Sequence, residues 1–258
     1  MAEDVLGRID ATPHFGVGRV LADSFRLLFR NFVPFLAIAV VLAVPSVAAR
    51  LWASGFPRVP GHLGAHFAWT MIALLVGMVC GALTSSALTF GTLQDLRGQR
   101  AGIGPCVSRG LAAAPKVFAA ALLWSLFVTF GYVLLVIPGV IISIMLWVYV
   151  PVIVVEGAGI TDSFGRSRAL TSGHRWGIFG LFCLFIAVFG TAEIIILVIL
   201  GAANLRTGGL ESGWPFWALT ALSVIATAFV AVSTAVGYSY LRAEKEGVMI
   251  DDLAKVFD

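Results

Sequence analysis

The sequence predicts an all-α polytopic membrane protein with six transmembrane helices in three hairpins, each hairpin preceded by a cytoplasmic interfacial amphipathic helix. Of the 258 residues, 59% are hydrophobic and only 12% are charged, whereas soluble domains carry roughly 45–50% apolar and 25% charged residues. Several apolar runs reach the about 20 residues that a helix needs to cross a bilayer. Basic residues cluster between alternate runs, as they do in multi-pass membrane proteins. These observations disfavour the alternative, a soluble helical bundle.

Three parts of the chain are predicted: a leader over 1–16, a six-helix transmembrane domain over 17–242 and a tail over 243–258. The leader, "MAEDVLGRIDATPHFG", mixes acidic residues with Arg8 and lacks the basic-then-apolar order of a signal peptide. It is interpreted as cytoplasmic. The tail carries apolar residues at helical spacing, and we expect it to dock on the bundle or, alternatively, to bind a partner.

The first hairpin is predicted to contain spans over about 32–52 and 66–93. The second of these carries small residues at four-residue steps, Gly77, Gly81, Ser85 and Thr89. Small residues allow helices to approach closely in a bilayer. This stripe therefore predicts close packing of the second span against a neighbouring helix.

The second hairpin follows from one long uncharged run between Lys116 and Glu156. A single helix over this run would measure roughly 58 Å, nearly twice the ~30 Å hydrocarbon core. Pro138 and Gly139 suit the central positions of a type II turn. The run is therefore predicted to fold back there, giving spans over about 117–136 and 139–155.

The third hairpin is predicted to contain spans over about 176–203 and 214–240. The last span has a second small-residue stripe, comprising Ser223, Thr227, Ala231, Ala235 and Ser239. Packing within the bundle is the expected role of this stripe, and association between copies of the chain is the alternative.

Topology follows from the distribution of arginine and lysine. With six spans, one side carries the basic residues of the N-terminal segment, the second loop, the fourth loop and the tail. The other side carries only Arg50, Arg58 and Arg206. Both termini are therefore predicted to be cytoplasmic.

The three predicted surface helices begin near Val17, Ile103 and Ile160, and they suggest a threefold repeat, although chance similarity is the alternative. In the first, apolar residues recur at helical spacing opposite Arg19, Arg26 and Arg30. This pattern is typical of a helix in the headgroup plane. These arginines are candidate contacts for lipid headgroups, although they could equally serve only to set the topology.

The junction between the fourth span and the third surface helix is the main candidate site. We expect Glu156 to pair with Arg166 or Arg168, or with the N-terminus of the third surface helix, because a helix C-terminus disfavours an unpaired carboxylate. Pro151 is expected to kink the span and to free backbone carbonyls near this junction.

Glu193 is the ionisable residue that lies inside a predicted span. It lies roughly 26 Å along the helix from Trp176, so a structural or interfacial role near the outer surface is expected. A coupling role in ion or proton transport is the alternative. Trp124 and Trp147 lie deep in their spans, where packing is the expected role and ligand contact the alternative.

Catalytic and cofactor motifs are absent from the sequence: it contains neither HExxH nor GxxxxGK. Its three cysteines lack CxxC spacing, and its four histidines are scattered. We therefore predict a protein that is not an enzyme and has no cofactor, no metal site and no nucleic-acid partner.

Three stretches carry a family resemblance: "IPGV" at 137–140, "VPVIVVEGAGITDSFGRSRALTSG" at 150–173 and the ending "LRAEKEGVMIDDLAKVFD". Through them the chain resembles a family of uncharacterised bacterial six-span inner-membrane proteins, similar to the membrane domain of some glycerophosphoryl diester phosphodiesterases. The resemblance implies the six-span fold and a bacterial plasma membrane location. It does not imply phosphodiesterase activity, because the soluble catalytic domain is missing.

Function is predicted from these features as that of a non-enzymatic membrane scaffold or regulator. Its expected partners are membrane lipids and, as a further possibility, other membrane proteins or a second copy of itself. The alternative is a small-solute transporter with Glu193 on its pathway, which requires a polar, water-accessible cavity. An intramembrane lipid enzyme is the third and least favoured class.

Overall fold

The computed structural model describes residues 15–54, 63–99, 102–207 and 214–247. Most of the predicted leader 1–16 and of the tail 243–258 lies outside the described residues. The described part is helical without any strand, and six of its helical segments are long and apolar enough to cross a membrane. The predicted all-α, six-span class is therefore confirmed.

The first hairpin and its preceding helix comprise α1 (Val17–Arg30), α2 (Phe32–Ser54) and α3 (Leu63–Leu96). Asn31 separates α1 from α2 because its backbone leaves the helical region, with φ −111° and ψ 30°. Its side-chain amide donates to Asp95 Oδ2 at the end of α3, at 2.8 Å. The first predicted surface helix is thus a separate element that is anchored to the end of the second span.

The second hairpin comprises α4 (Ile103–Leu134), α5 (Val136–Met145) and α6 (Tyr149–Glu156), and α7 (Ile160–Thr171) follows. The segment near Ile103, predicted as a surface helix that runs into the third span, is the first part of α4 and forms no element of its own. Gly110 lies close to α3: a Cβ placed on it would lie 2.8 Å from Ala87 Cβ. The early part of α4 therefore packs directly against α3.

The turn of the second hairpin differs from the predicted one. Leu135 alone leaves the helical conformation, with φ −166° and ψ 144°, and Pro138 and Gly139 lie in the first turn of α5. Proline is tolerated there because that backbone position has no intrahelical acceptor to lose. Gly139 serves a close approach instead of a turn, since a Cβ on it would lie 2.7 Å from the ring of Tyr132.

The third hairpin comprises α8 (Arg175–Phe185), a π-helical segment (Ile186–Gly190), α9 (Thr191–Thr207) and α10 (Trp214–Glu246). The first three of these form one interrupted span. Only 6% of its most apolar stretch is buried, against 50% for the span formed by α5 and α6. The fifth span is therefore the least enclosed of the six.

The buried core surrounds the C-terminal half of α10. Its largest fully buried side chains include Tyr238, Leu241, Phe35, Leu88, Leu170, Ile178 and Leu181. These residues come from α2, α3, α7, α8 and α10. Val20 and Leu27 of α1 belong to the same core, which therefore joins α1 and α7 to the end of the bundle that carries most of the charged residues.

Candidate functional site

The fourth span is interrupted at Leu146–Val148, where the chain turns between α5 and α6. Pro151 occupies the first turn of α6, the position where its missing N–H costs no helical hydrogen bond. The span is therefore interrupted by a three-residue turn just before the helix that begins with Pro151 in its first turn, near the place where the sequence predicts a kink.

Hydroxyl groups of α7 form hydrogen bonds with the backbone polar groups of this break. Ser167 Oγ donates to the carbonyl of Met145 at 2.9 Å and accepts from the N–H of Val148 at 3.3 Å. Thr171 Oγ1 lies 3.2 Å from the same carbonyl. Both hydroxyl residues are fully buried. Since unsatisfied backbone groups are costly away from water, α7 replaces the hydrogen bonds that the broken helix lacks.

Five side chains from α6, α7 and α10 close a ring at the end of the fourth span. Arg166 Nε lies 3.1 Å from Glu156 Oε2, so the predicted pairing of Glu156 with Arg166 is present. Tyr238 donates to Glu156 Oε1 at 2.8 Å, and Arg242 donates to the Tyr238 hydroxyl at 3.1 Å. Glu246 completes the ring by binding both Arg242, at 2.9 Å, and Arg166. We call these five residues the charged ring.

Arg166 is the centre of this ring because it bridges two carboxylates. Burial lowers the pKa of its guanidinium, but hydrogen bonds and charge from Glu246 and Glu156 outweigh burial and raise the pKa above its ordinary value. Arg166 therefore stays charged at physiological pH. The other candidate, Arg168, lies on the exposed face of α7.

The end of α10 also contacts the remaining charged segments. Tyr240 donates to Asp23 of α1. Glu244 accepts from the backbone N–H of Phe15 at 2.8 Å and lies 3.1 Å from His174 Nε2. The C-terminal end of the last span thus holds α1, α7 and the start of α8 in fixed positions.

Helix α1 presents three distinct faces. Val20, Ser24 and Leu27 are buried against the bundle. Phe25 and Phe29 share a second face, Phe32 at the start of α2 continues their row, and all three are exposed, with ring centroids 6.3 and 6.4 Å apart along the row. The three candidate arginines Arg19, Arg26 and Arg30 are exposed, and their spacing of seven and four residues places them on a third face.

The arginines of this third face differ in their contacts. Arg26 lies 3.8 Å from Asp23, its neighbour one turn away. Arg30 binds the carboxylate of Asp95, whose side chain is only 3% exposed. Arg30 therefore combines a surface position with a structural ion pair to α3.

Glu193 lies in the first turn of α9, and its side chain is exposed. A half-open pocket of about 500 Å³ is lined by residues of α3, α4, the fourth span, α8 and α10, and Glu193 is not among them. The transport alternative, which requires a polar, water-accessible cavity that reaches Glu193, stays a prediction.

Sequence reasoning missed several residues that complete the site. Arg242 and Glu246 have the i,i+4 spacing of a helical ion pair, a signal that could have identified them. Ser167 and Thr171 share the same spacing, but their role depends on a break in another helix. Asp95 and Tyr238 were not identified, because Asn31, which donates to Asp95, lies 64 positions away, and Glu156, which accepts from Tyr238, lies 82 positions away.

Among the residues that the structure describes, no group of three or more His, Cys, Asp or Glu side chains could hold a metal ion. Comparisons with family models, with curated proteins and with solved structures found no match. The family resemblance drawn from the sequence therefore stays a prediction.

Proposed function

We propose that this integral membrane protein is a non-enzymatic scaffold or regulator that engages anionic lipid headgroups through α1. The single observation that carries the proposal is the three-faced arrangement of that helix. In this proposal the protein lies in a bacterial plasma membrane with both termini and the charged ring on the cytoplasmic side.

The row of phenylalanines supports an interfacial position for α1. Phe25, Phe29 and Phe32 are 48%, 68% and 46% exposed. Exposure of these rings to water is unfavourable, and burial in the acyl region would contribute roughly 1.5–3 kcal/mol of favourable free energy for each fully buried side chain. A helix with one apolar face and one basic face lies in the plane of the interface. The phenylalanine row would then enter the lipid beside the bundle.

The arginine face supplies the electrostatic part of the proposal. A basic residue near an anionic leaflet gains about 1 kcal/mol. Arg19 and Arg26 are both exposed, so their guanidinium groups can reach headgroup phosphates. The contacts of α10 with Asp23 and Phe15 hold the helix in this orientation.

Lipid retention by the full chain tests the proposal. The chain is extracted into polymer-bounded native membrane discs, and anionic lipids that survive detergent exchange are counted by mass spectrometry. The double variant Arg19→Gln, Arg26→Gln should lower the affinity for anionic lipid about 30-fold, because each charge contributes about 1 kcal/mol to binding. Arg30 is kept because it supports Asp95.

The matched control is the double variant Arg109→Gln, Arg168→Gln, which removes two exposed arginines outside α1. It should retain anionic lipid as the native chain does. Equal losses in the two double variants would show that basic charge alone, and not α1, attracts the lipid.

A further inference from the structure

The last turn of α10 ends directly against α7. Lys245 Nζ donates to Ser172 Oγ, just after the end of α7, at 2.6 Å, and Glu246 binds Arg166. Gly247 then adopts a φ of 61°, the left-handed conformation with which a glycine ends a helix and turns the chain aside. The chain therefore continues into residues 248–258, which we call the tail segment, from a point beside α7.

The side of α7 that faces away from the bundle is open. Thr161, Gly165 and Arg168 are exposed, and their spacing of four and three residues places them on one face of the helix. Ser172, the contact of Lys245, continues the row after another four residues. A Cβ placed on Gly165 would meet no atom within 4 Å outside its own helix. We call this side the uncovered face of α7, and it has room for a second helix.

Two exposed residues of opposite sign lie on or beside the uncovered face. Arg168 lies one turn before Ser172 and forms no ion pair with a described residue. Asp162 lies at the other end of the helix, in its first turn. The uncovered face therefore presents a positive charge near the end of α10 and a negative charge far from it.

The tail segment has the apolar pattern that such a face requires. In its sequence, "VMIDDLAKVFD", Ile250, Leu253 and Phe257 recur after three and four residues, the spacing of one side of a helix. As a helix its eleven residues measure about 16 Å. The twelve residues of α7 measure about 18 Å, so the tail segment is long enough to follow α7 over most of its length.

The charges of the tail segment have the matching order. Asp251 and Asp252 come early in the segment and Lys255 comes later. In a helix that runs antiparallel to α7, the acidic pair comes level with Arg168, and Lys255 comes near the level of Asp162. A parallel helix would run past the end of α7 instead, so the charge order and the exit point favour the antiparallel direction.

We propose that the tail segment folds back as a helix antiparallel to α7 and docks on the uncovered face, with Leu253 beside Gly165 and Asp251 beside Arg168. Helix α7 is then held on two sides, by the broken fourth span and by the tail segment. The segment of the same chain is favoured over a second copy, because its attachment at Gly247 keeps it at a high effective concentration beside the face.

Hydrogen exchange of the full chain tests this proposal, in native membrane discs that hold a single copy. The measurement follows the peptides that cover 248–258. An isolated helix of this length is marginal in water, so slow exchange requires docking. We expect exchange in the native chain to be about tenfold or more slower than in the double variant Leu253→Asp, Phe257→Asp, which removes the apolar contacts.

Charge reversal locates the face on which the tail segment docks. Arg168→Glu should accelerate exchange in these peptides about two- to fivefold, the range of an exposed ion pair. Adding Asp251→Lys to the same chain should restore slow exchange. Arg109→Glu is the matched control, because it reverses an exposed arginine of α4, and it should leave the exchange unchanged.

Fast exchange of 248–258 in the native chain would overturn the proposal, and so would equal effects of Arg168→Glu and Arg109→Glu. Slow exchange that appears only in discs with two copies would assign the uncovered face to the tail segment of a second copy. Should Arg168→Glu fail to fold, as judged by size-exclusion chromatography, Gly165→Leu takes its place. This variant fills the uncovered face and should accelerate exchange in 248–258 while the amides of α7 stay protected; unchanged exchange in 248–258 would overturn the proposal.

Discussion

Helices α1 and α7 each precede a spanning segment at the charged end of the bundle, yet their buried hydroxyl groups have different partners. Helix α1 buries Val20, Ser24 and Leu27, and Ser24 donates to the carbonyl of Val20 within its own helix. Helix α7 buries Leu170 together with Ser163, Ser167 and Thr171, and Ser167 bonds to the backbone of the broken span. The difference follows from what each helix covers: α1 lies against intact helices, whereas α7 lies against a broken span whose backbone needs hydrogen bonds.

The largest expected effect concerns the two faces of α1. Replacing Leu27, which is 3% exposed, with Ala should lower the free energy of unfolding by about 2–5 kcal/mol, because it removes buried methyl groups and leaves a cavity. Phe29→Ala on the opposite face should cost far less in detergent micelles, since that side chain is largely exposed. Reversible denaturation in mixed micelles measures both values.

Similar losses for these two variants would contradict the assignment of a protein-facing and a lipid-facing side to α1. A destabilisation by Phe29→Ala that appears only in membranes, and not in micelles, would support the assignment of a lipid-facing side. In that case the bilayer itself would be the partner of the phenylalanine row.

A smaller effect is expected for the hydroxyl groups of α7. Ser167→Ala leaves the N–H of Val148 without its partner and the Met145 carbonyl with Thr171 alone. An unsatisfied buried backbone group costs about 1–3 kcal/mol, so we expect a loss of about 2–3 kcal/mol in the same denaturation assay. Hydrogen exchange at Val148 should also accelerate.

Ser163→Ala is the matched control on the same helix and the same buried face. Ser163 donates only to the carbonyl of Ile160, within α7 itself, so its loss should cost less than about 1 kcal/mol. If both serine variants behaved alike, the hydroxyl row would serve packing alone, and α7 would not support the break.

The sequence predicted those features that depend on composition and on local spacing. Charge depletion and run length were sufficient for six spans, whereas the interfacial position of the helix that carries Arg19, Arg26 and Arg30 stays a prediction. Pro151 indicated the place where the fourth span is interrupted. Glu156 was expected to pair with Arg166 or Arg168 because a helix C-terminus disfavours an unpaired carboxylate, and the pair with Arg166 is present.

The missed features depend on contacts between distant segments. Pro138 and Gly139 resembled a turn, but a proline in the first helical turn fits equally well, and only packing against Tyr132 distinguishes the two. The segment at Ile103 resembled a surface helix until its contact with Ala87 was known.

The smallest expected change in stability concerns the two arginines of α7. Arg166→Met removes the bridge between Glu156 and Glu246 and leaves two carboxylates facing each other. Because about a third of the Arg166 side chain is exposed, each of its two pairs contributes at the modest level of surface salt bridges, and we expect a loss of about 1–2 kcal/mol in total. The measurement is the denaturation midpoint at low and at high salt.

Arg168→Met is the matched control, because it makes the same change on the exposed face of the same helix. It should shift stability by less than about 0.5 kcal/mol. A loss from Arg166→Met that persists in high salt would indicate that the ring acts mainly through fixed hydrogen bonds, because salt screens exposed charges more than buried contacts. Equal effects of the two arginine variants would instead show that the charged ring adds no measurable stability. In that case α7 would stabilise the bundle only through its buried serines and threonine.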